Sequence, residues 1–434
     1  MFTTVVDLNE AGTHRFHLRR IQDEMGVLNV DAHYVLYLNP IATEYLRLFI
    51  EGYTTEEIVK FFSRNYLVSK EEAKDDYNQL ITQIKLLVSE KNICPIHNLG
   101  FSIKEPYIKS LDFPLRVDFA ITYRCNNNCP HCYVGRDKES FPELSTESTI
   151  KVIDKLSEIG VPHVAFTGGE ASLRTDLPEL LQHAQEKGLV TGIITNGRKF
   201  SDPQLVYSLI SHGLDYVQIT LESHIAQVHD DMQGQKGAWE ETTHAIQNFI
   251  QADLFCMTNT TICKKNQDKI EDMVKYLHDI GITAFAMNGL IYSGKGIGFE
   301  DGLSEKELIP ITQKVSDLAD ELNMRFIWYT PTQYCIFNPI EQGLGPKNCS
   351  AAKTSIGIEP NGDVIPCQSY FESVGNILEN DWKSIWNSHL FQNIRSLKFV
   401  EPRCHHCEML DVCGGGCPLY VKQKYLNLPH ISHL

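Results

Sequence analysis

The sequence lacks the features that mark a membrane-spanning, a secreted or a general nucleic-acid-binding protein. No apolar run approaches the roughly 20 residues that a helix needs to cross a bilayer. The first ten residues, MFTTVVDLNE, have no cationic start followed by an apolar stretch, so no secretion signal is predicted. Basic residues are few, 39 against 55 acidic ones, and the net charge is −16. Because neutralising phosphates requires a basic surface, we expect no nucleic acid among the partners. The missing apolar run and secretion signal predict a cytoplasmic protein without a membrane partner.

Internal repeats and low-complexity tracts are missing as well, apart from an alternation of strand and helix patterns in the middle of the chain. The hydrophobic content of 42% is that of an ordinary globular protein. With 434 residues the chain is too long for one small core. We therefore expect two or three domains.

Cysteine is abundant and unevenly distributed. Disulfides are not expected, because the cytosol keeps thiols reduced. Three of the thirteen cysteines lie within 125–132 and four within 404–417, while Cys349 and Cys367 form a looser pair. Such grouping indicates metal ligation. The remaining cysteines are scattered and are expected to be small buried hydrophobic residues: Cys94, Cys256, Cys263 and Cys335.

The first hundred residues predict a small α+β domain of winged-helix-like type. Strand-like segments at 16–21 and 34–39 flank a turn region at 26–29. Three amphipathic helical patterns follow, and Thr54 and Thr55 stand before Glu57 as in a helix cap. The prediction for 1–100 is a β-hairpin with three helices, followed by a linker at 101–113.

From 114 to 330 the pattern alternates between short apolar strands and amphipathic helices. Such alternation implies parallel strands joined by right-handed crossovers, here a partial (β/α)6 TIM-like barrel. Its chemistry should lie at the C-terminal ends of the strands. The region 331–434 is rich in cysteine and turns, and is predicted to be a small domain held together by metal. The six predicted strands are 117–122, 163–166, 190–195, 216–221, 256–262 and 283–287.

The first cysteine group follows the first barrel strand directly. Three thiolates from one loop, those of Cys125, Cys129 and Cys132, can hold three corners of a [4Fe–4S] cube and leave the fourth iron open. An open metal position is what catalysis needs, because a substrate can coordinate there. A structural zinc loop is the alternative. It is weakened by the lack of a nearby fourth thiolate and by the position of His131 next to Cys132.

This spacing after the first strand of a βα barrel resembles the radical S-adenosylmethionine (radical SAM) superfamily over roughly 115–330. Gly168, Gly169 and Glu170 end the second strand, where that family places a loop against the methionine amino group. Asn196 and Glu222 follow later strands, at positions where the family contacts the cofactor's ribose and carboxylate. Asn259 is a weaker candidate of the same kind.

The resemblance implies the activity. An electron, delivered by a reductant such as ferredoxin or flavodoxin, would pass through the cluster and break a carbon–sulfur bond of S-adenosylmethionine. The products would be methionine and a 5′-deoxyadenosyl radical that takes hydrogen from the substrate. The protein's part would be orientation and exclusion of competing partners.

The C-terminal cysteines form an ordered series that resembles the SPASM extension of radical enzymes. That extension holds two auxiliary [4Fe–4S] clusters, whereas a zinc ribbon would explain only four of the cysteines. Carried over from the family, Cys349, Cys367 and Cys417 would bind the first cluster, and Cys335 would either complete it or be a structural thiol. The second cluster would be bound by Cys404, Cys407 and Cys413.

One departure from the SPASM pattern concerns the second cluster. The family normally has a last cysteine, but none follows Cys417 in this sequence. The second cluster would then have an open iron or a non-cysteine ligand, and His430 and His433 are nearby in the sequence.

Residues 26–93 resemble the PqqD-like domain that recognises peptides in peptide-modifying systems. The matching positions include Gly26, Asn39, Gly52 and the helix at 77–88. The resemblance implies that the leader of a precursor peptide adds as a strand to the sheet edge and is thereby concentrated near the barrel. A DNA-binding winged helix is the alternative, but no dense Lys/Arg face supports it.

The leading functional hypothesis is maturation of a ribosomally made peptide, by a crosslink or another radical change. Modification of a tetrapyrrole in a heme pathway is a second hypothesis, which would not require the N-terminal domain. A third is activation of another enzyme by oxidising one of its residues. A non-enzymatic electron carrier is a different class, but it would not explain the pocket at 168–170.

Overall fold

The computed structural model describes residues 2–8, 13–20, 25–30, 34–89 and 111–426. The chain divides into two compact units, residues 1–109 and 110–434. Among the described residues, no helix combines the length and the apolar character needed to cross a membrane.

The N-terminal unit contains a four-stranded antiparallel sheet in the order β1-β2-β3-β4. The prediction of a hairpin around a turn at 26–29 is wrong, because this segment belongs to β3, one of the two inner strands of the sheet. Gly26 looks like a turn residue in the sequence. In the structure it makes room for the side chain of Thr43, which would lie 2.5 Å from a Cβ at position 26. The strands are β1 Phe2–Asp7, β2 Thr13–Arg20, β3 Gly26–Val30 and β4 Tyr34–Leu38.

Three helices follow, as predicted: α1 Pro40–Ile50, α2 Thr55–Asn65 and α3 Lys70–Ser89. The first and third pack on the sheet, and α2 packs against α1 and α3. The predicted cap of α2 is confirmed, because Thr54 and Glu57 bond reciprocally across the first turn. The core between sheet and helices is built from Phe16, Leu18, Leu28, Leu46 and Ile84.

The second unit is built on a nine-stranded sheet in the order β11-β10-β9-β8-β7-β6-β5-β12-β13. All six predicted strands are present, and β11, β12 and β13 extend the sheet beyond them. β12 pairs in parallel with β5, so a strand of the cysteine-rich region continues the sheet of the barrel. The strands are β5 Arg116–Thr122, β6 His163–Gly168, β7 Val190–Thr195, β8 Tyr216–Thr220, β9 Phe255–Thr261, β10 Ala284–Asn288, β11 Arg325–Trp328, β12 Ser355–Ile358 and β13 Val364–Ile365.

Amphipathic helices bury their apolar faces against this sheet. The first ends at Gly160, whose left-handed φ of 90° suits glycine. The helices between the strands are α4 Thr146–Ile159, α5 Leu177–Glu186, α6 Pro203–Ser211, α7 Ala226–Gln233, α8 Ala238–Gln251, α9 Ile270–Asp279 and α10 Glu305–Glu321. Shorter helices follow in the cysteine-rich region: α11 Trp382–Trp386, α12 His389–Arg395, α13 Leu410–Cys413 and α14 Pro418–Leu426.

A buried carboxylate joins the barrel to the cysteine-rich region. Glu359 is fully buried and accepts two hydrogen bonds from Arg136, at 2.7 and 2.9 Å. Tyr123 donates a third bond at 3.2 Å. Burial, together with the charge of Glu359, raises the pKa of Tyr123 and keeps its phenol protonated as a donor.

We expect Glu359→Ala to lower the free energy of unfolding by about 3 kcal/mol, because it leaves the Arg136 charge without its buried partner. Urea unfolding followed by circular dichroism measures this loss. Glu379→Ala removes an exposed carboxylate of the same region and should change the stability by no more than about 0.5 kcal/mol. Equal effects of the two substitutions would contradict the role given to Glu359.

Candidate functional site

The first cysteine loop leaves β5 at the C-terminal edge of the sheet. Its three thiols, on Cys125, Cys129 and Cys132, are half-buried. Burial raises the pKa of Cys125 and of Cys129. Burial works to lower the pKa of the neighbouring Lys138, but the three thiolates outweigh it and raise that pKa. Thiolates here therefore depend on positive charge, which Lys138 or a bound metal would supply.

Neighbouring elements fix the conformation of this loop. Gln233, at the end of α7, accepts a bond from the Asn127 amide at 2.6 Å and one from the Asn128 backbone N–H at 3.1 Å. Arg198 donates to the backbone oxygen of Asn126 at 2.6 Å. The loop therefore has a set conformation that depends on residues far from it in the sequence.

The chemistry of the donors fits an iron–sulfur cluster. The Gln233 side chain lies 3.4 Å from the sulfur of Cys129, and its Nε2 is buried with no hydrogen-bond partner among the described residues. A cluster sulfur is an acceptor that this amide would bond. Within the same residues, no three His, Cys, Asp or Glu side chains converge on a position for a single metal ion. A [4Fe–4S] cluster has a different requirement, because each iron takes its own ligand at a separate corner.

The glycines at 168 and 169 allow two backbones to run side by side. Gly169 donates to Thr122 O at 2.8 Å, and Glu170 donates to Arg124 O at 2.9 Å. A Cβ at Gly168 would lie 1.9 Å from Thr122 O, and one at Gly169 would lie 2.2 Å from the oxygen of Tyr123. These glycines therefore position the segment that leads into Cys125.

The Glu170 carboxylate is fully buried and accepts four hydrogen bonds. It accepts from the Thr195 hydroxyl at 2.7 Å and from the Asn196 backbone N–H at 2.8 Å. The hydroxyl and backbone N–H of Ser172 supply two more bonds, at 2.6 and 3.1 Å. Three of these bonds reach Oε1 and only the Asn196 bond reaches Oε2, so Oε2 keeps a lone pair that an ammonium ligand could use. In this structure Glu170 also holds the ends of β6 and β7 together.

Asn196 lies against the first cysteine loop. Its amide donates to the Asn126 side chain at 2.7 Å, and the Cys125 sulfur is 4.0 Å away. The amide oxygen accepts from the Arg198 backbone N–H at 3.1 Å. The structure therefore brings Asn196 together with the first cysteine group, as a shared site would require.

Glu222 joins the end of β8 to the same loop. Its fully buried carboxylate lies 3.0 Å from His131 Nε2 and accepts from the Thr261 backbone N–H at 2.8 Å. From the sequence, His131 is a candidate only for a zinc ligand and Glu222 only for a contact to the cofactor. No sequence spacing links residues 91 positions apart, so their pairing is visible only in the structure.

His229 supports Glu222 from behind. It is fully buried, and its Nδ1 accepts from the Glu222 backbone N–H at 3.1 Å. Burial lowers the pKa of His229 from 6.5 to about 4. The imidazole is therefore neutral at physiological pH, as an acceptor must be.

The His229 pKa implies a pH dependence of stability. The folded-state pKa is the lower one, so between pH 6.5 and pH 4 the unfolded chain binds more protons, and stability falls as the pH decreases. The contribution lost is about 3 kcal/mol. His229→Asn keeps a hydrogen-bond acceptor near the Nδ1 position but does not titrate. Urea unfolding at pH 7 and at pH 4.5 should therefore show that this variant lacks the loss of unfolding free energy that His229 causes. His389→Asn, at an exposed histidine, should keep the wild-type profile, and a His229→Asn profile equal to wild type would contradict the assignment.

In the cysteine-rich region, Cys349, Cys367 and Cys417 come together. Ala352 donates to Pro366 O at 3.2 Å, which places the segment after Cys349 beside Cys367. Burial and then Cys349 and Cys417 raise the pKa of Cys367, and burial and then Cys349 raise that of Cys417 to about 12. The predicted first auxiliary set is therefore one spatial group.

A second group contains Cys404, Cys407 and Cys413, and it includes Cys335. Burial is the main cause of the raised pKa of Cys413, and the charges of Cys335 and Cys407 add to it, whereas hydrogen bonds from the Tyr334 and Gly415 backbones work against the rise. Cys335 is exposed, so its interpretation as a small buried hydrophobic residue is wrong. Cys256 and Cys263 are buried as expected, whereas Cys94, His430 and His433 lie outside the described residues.

Two family models match the chain. The radical SAM superfamily model matches residues 119–277. The SPASM model, an iron–sulfur cluster-binding domain, matches residues 349–408. These matches confirm the two resemblances drawn from the cysteine motifs.

Relatives and solved structures extend the comparison. The antilisterial bacteriocin subtilosin biosynthesis protein AlbA of Bacillus subtilis is 28% identical over 88% of this chain and 83% of its own length. An AdoMet-dependent heme synthase of Methanosarcina barkeri is 26% identical over 70% of this chain and 90% of its own length. The crystal structure of Streptococcus suis SuiB bound to precursor peptide SuiA is similar in fold. Its TM-score is 0.70, its identity is 18%, and the match covers 97% of this chain and 96% of that one.

Proposed function

We propose that this chain, a radical SAM enzyme with a C-terminal SPASM iron–sulfur domain, modifies a ribosomally synthesised precursor peptide by a crosslink or another radical change. The observation that carries the proposal is the extent of the similarity. The AlbA match covers 88% of the chain and the SuiB fold covers 97%, whereas the heme synthase covers 70%. A peptide substrate gives the N-terminal unit a function.

In this proposal Cys125, Cys129 and Cys132 would hold the initiating cluster. The chemistry that such a cluster would supply is reductive cleavage of S-adenosylmethionine to a 5′-deoxyadenosyl radical. The bonds from Gln233 and Arg198 hold the backbone of the loop in one conformation, which would reduce the ordering that the three thiolates need when they bind a cluster. A reductant such as ferredoxin or flavodoxin in the cytoplasm would deliver the electron.

The residues around the loop would bind and orient S-adenosylmethionine. Gly168, Gly169 and Glu170 line the end of β6 beside the loop, and Asn196 faces Cys125. Glu222 would act through His131, since its carboxylate is fully buried and already bonded to that ring. We assign Glu222 the role of a positioning residue for the loop. More exposed groups would contact the ribose of S-adenosylmethionine.

The N-terminal unit would dock the peptide as a PqqD-like domain. Its sheet ends in β1 on one side and β4 on the other, and an extended leader can pair with such an edge. Exposed apolar side chains, which offer pockets and anchors to a peptide, recur in this unit: Val5, Ile41, Tyr53, Tyr66, Leu67 and Leu86.

The test uses the reconstituted full chain, dithionite, S-adenosylmethionine and short peptides encoded near the gene. The proposal predicts that one peptide changes mass and that it stimulates formation of 5′-deoxyadenosine. The same peptide without its leader should lose most of the stimulation at low concentration. Consumption of an iron porphyrin, with every candidate peptide unchanged, would favour a heme-pathway function and overturn the proposal.

A further inference from the structure

The segment 332–337 packs directly on the second cysteine group of the SPASM region. Tyr334 donates its backbone N–H to the sulfur of Cys413 at 3.3 Å. The Cys413 thiol in turn lies 3.8 Å from the backbone oxygen of Thr332. A residue adjacent to Cys335 therefore already contacts a thiol of this group.

Other bonds fix the segment in this place. The Gln333 amide donates to the Glu401 carboxylate at 3.0 Å, and Glu401 O accepts from the Cys404 backbone N–H at 2.8 Å. Phe337 N–H closes a turn onto Gln333 O at 2.9 Å. The turn is thus attached to both ends of the loop that carries the group, and Cys335 projects from it as an exposed residue.

Electrostatics point to the same neighbours. Burial, then the charge of Glu401 and then that of Cys335 raise the pKa of Cys404, while the charge of Arg403 opposes the rise. The pKa of Arg403 is itself raised first by Glu401 and next by Cys335. Thiolates gathered beside a cation suit an anionic metal cluster.

We propose that Cys335 is the fourth thiolate of the second auxiliary [4Fe–4S] cluster, with Cys404, Cys407 and Cys413. The sequence left two roles open for Cys335, completion of the first auxiliary cluster or a structural thiol. In this proposal it takes the fourth ligand position of the second cluster instead. The second cluster is then fully ligated by protein and can only pass electrons. In the first auxiliary cluster, Cys349, Cys367 and Cys417 would hold three of the four irons. The inference rests on the iron–sulfur part of the proposed function and is independent of the substrate.

Alkylation of the full chain tests this assignment without relying on activity. Holoenzyme and iron-free protein are treated with iodoacetamide under anaerobic conditions, and modified cysteines are located by mass spectrometry. We expect Cys335 to be protected in the holoenzyme and modified after iron removal. Protection should be lost in the chain carrying Cys404→Ala, Cys407→Ala and Cys413→Ala. It should persist in the chain carrying Cys349→Ala, Cys367→Ala and Cys417→Ala.

The opposite pattern, with protection lost only in the second variant chain, would return Cys335 to the first cluster and overturn the proposal. Equal modification in holoenzyme and iron-free protein would make Cys335 a structural thiol and overturn it too. A second measurement uses Cys335→Ser with Cys263→Ser as the matched control. After mild oxidation, Cys335→Ser should show one additional [3Fe–4S] spin per chain by electron paramagnetic resonance, and Cys263→Ser none. Because no peptide or S-adenosylmethionine is present, failure here is separate from failure of the proposed function.

Discussion

Replacing the three loop cysteines, with Cys125→Ala, Cys129→Ala and Cys132→Ala together, is expected to abolish 5′-deoxyadenosine formation. The three thiolates are the only protein ligands proposed for the initiating cluster, and without them the electron has no route to S-adenosylmethionine. Iron should still bind at the C-terminal cysteine groups, which the substitutions do not touch. Chromatography of the anaerobic reaction measures the nucleoside, and a colorimetric assay measures the remaining iron.

The matched control carries Cys256→Ser and Cys263→Ser. Both cysteines are buried in the barrel and belong to none of the three cysteine groups. This control variant should keep its iron content and should keep forming 5′-deoxyadenosine. If the triple variant still produced the nucleoside at the control's rate, the initiating site would lie elsewhere. If the triple variant lost all of its iron, the C-terminal groups would not be separate cluster sites.

Gly169→Ala is expected to lower the rate of 5′-deoxyadenosine formation by about a hundredfold. A Cβ at this position would lie 2.2 Å from Tyr123 O and 2.4 Å from Arg124 O, so the backbone leading into Cys125 must move. A displacement of roughly 1 Å in a reacting geometry can cost about a hundredfold in rate. Gly169 does not have a left-handed backbone conformation. The loss of rate in Gly169→Ala would therefore come from the contact of the new Cβ with the neighbouring backbone and not from a strained φ.

Gly298→Ala is the control for this substitution. A Cβ at Gly298 would meet no atom within 4 Å, and its exposed position predicts unchanged activity. The iron content of Gly169→Ala should be measured together with its rate. A rate within a factor of two or so of wild type, at equal iron, would show that the glycine pair does not position the loop.

The barrel could be predicted from the sequence because its signals are local. Each strand is a short apolar run, and each helix carries one apolar face, five of the seven described helices between the strands ending within two residues of a glycine. The predicted strand at 190–195 coincides with β7 Val190–Thr195, and the other five differ by one or two residues at their ends. The cysteine spacing was informative for the same reason, because loop ligands are close together in the chain.

Long-range pairings could not be predicted in this way. The partner of Glu222 is His131, and the segment carrying Cys335 packs near Cys404 and Cys413, but no periodicity connects these positions. Gly26 was expected in a turn, but a glycine in a sequence can indicate either a turn or a close contact. The packing of Thr43 against Gly26 shows that here it is a close contact. The role of Glu170 at the site stays a prediction, and its four internal donors come from segments that the sequence places apart.

The most direct test of the proposed function follows a deuterium atom from the peptide. The precursor peptide is prepared with deuterated residues and incubated with reconstituted enzyme, dithionite and S-adenosylmethionine, and the nucleoside product is analysed by mass spectrometry. We predict 5′-deoxyadenosine that carries deuterium, together with a peptide of altered mass. Unlabelled 5′-deoxyadenosine with an unchanged peptide, from enzyme fully loaded with iron, would contradict peptide modification, and the absence of any 5′-deoxyadenosine would contradict the radical chemistry itself.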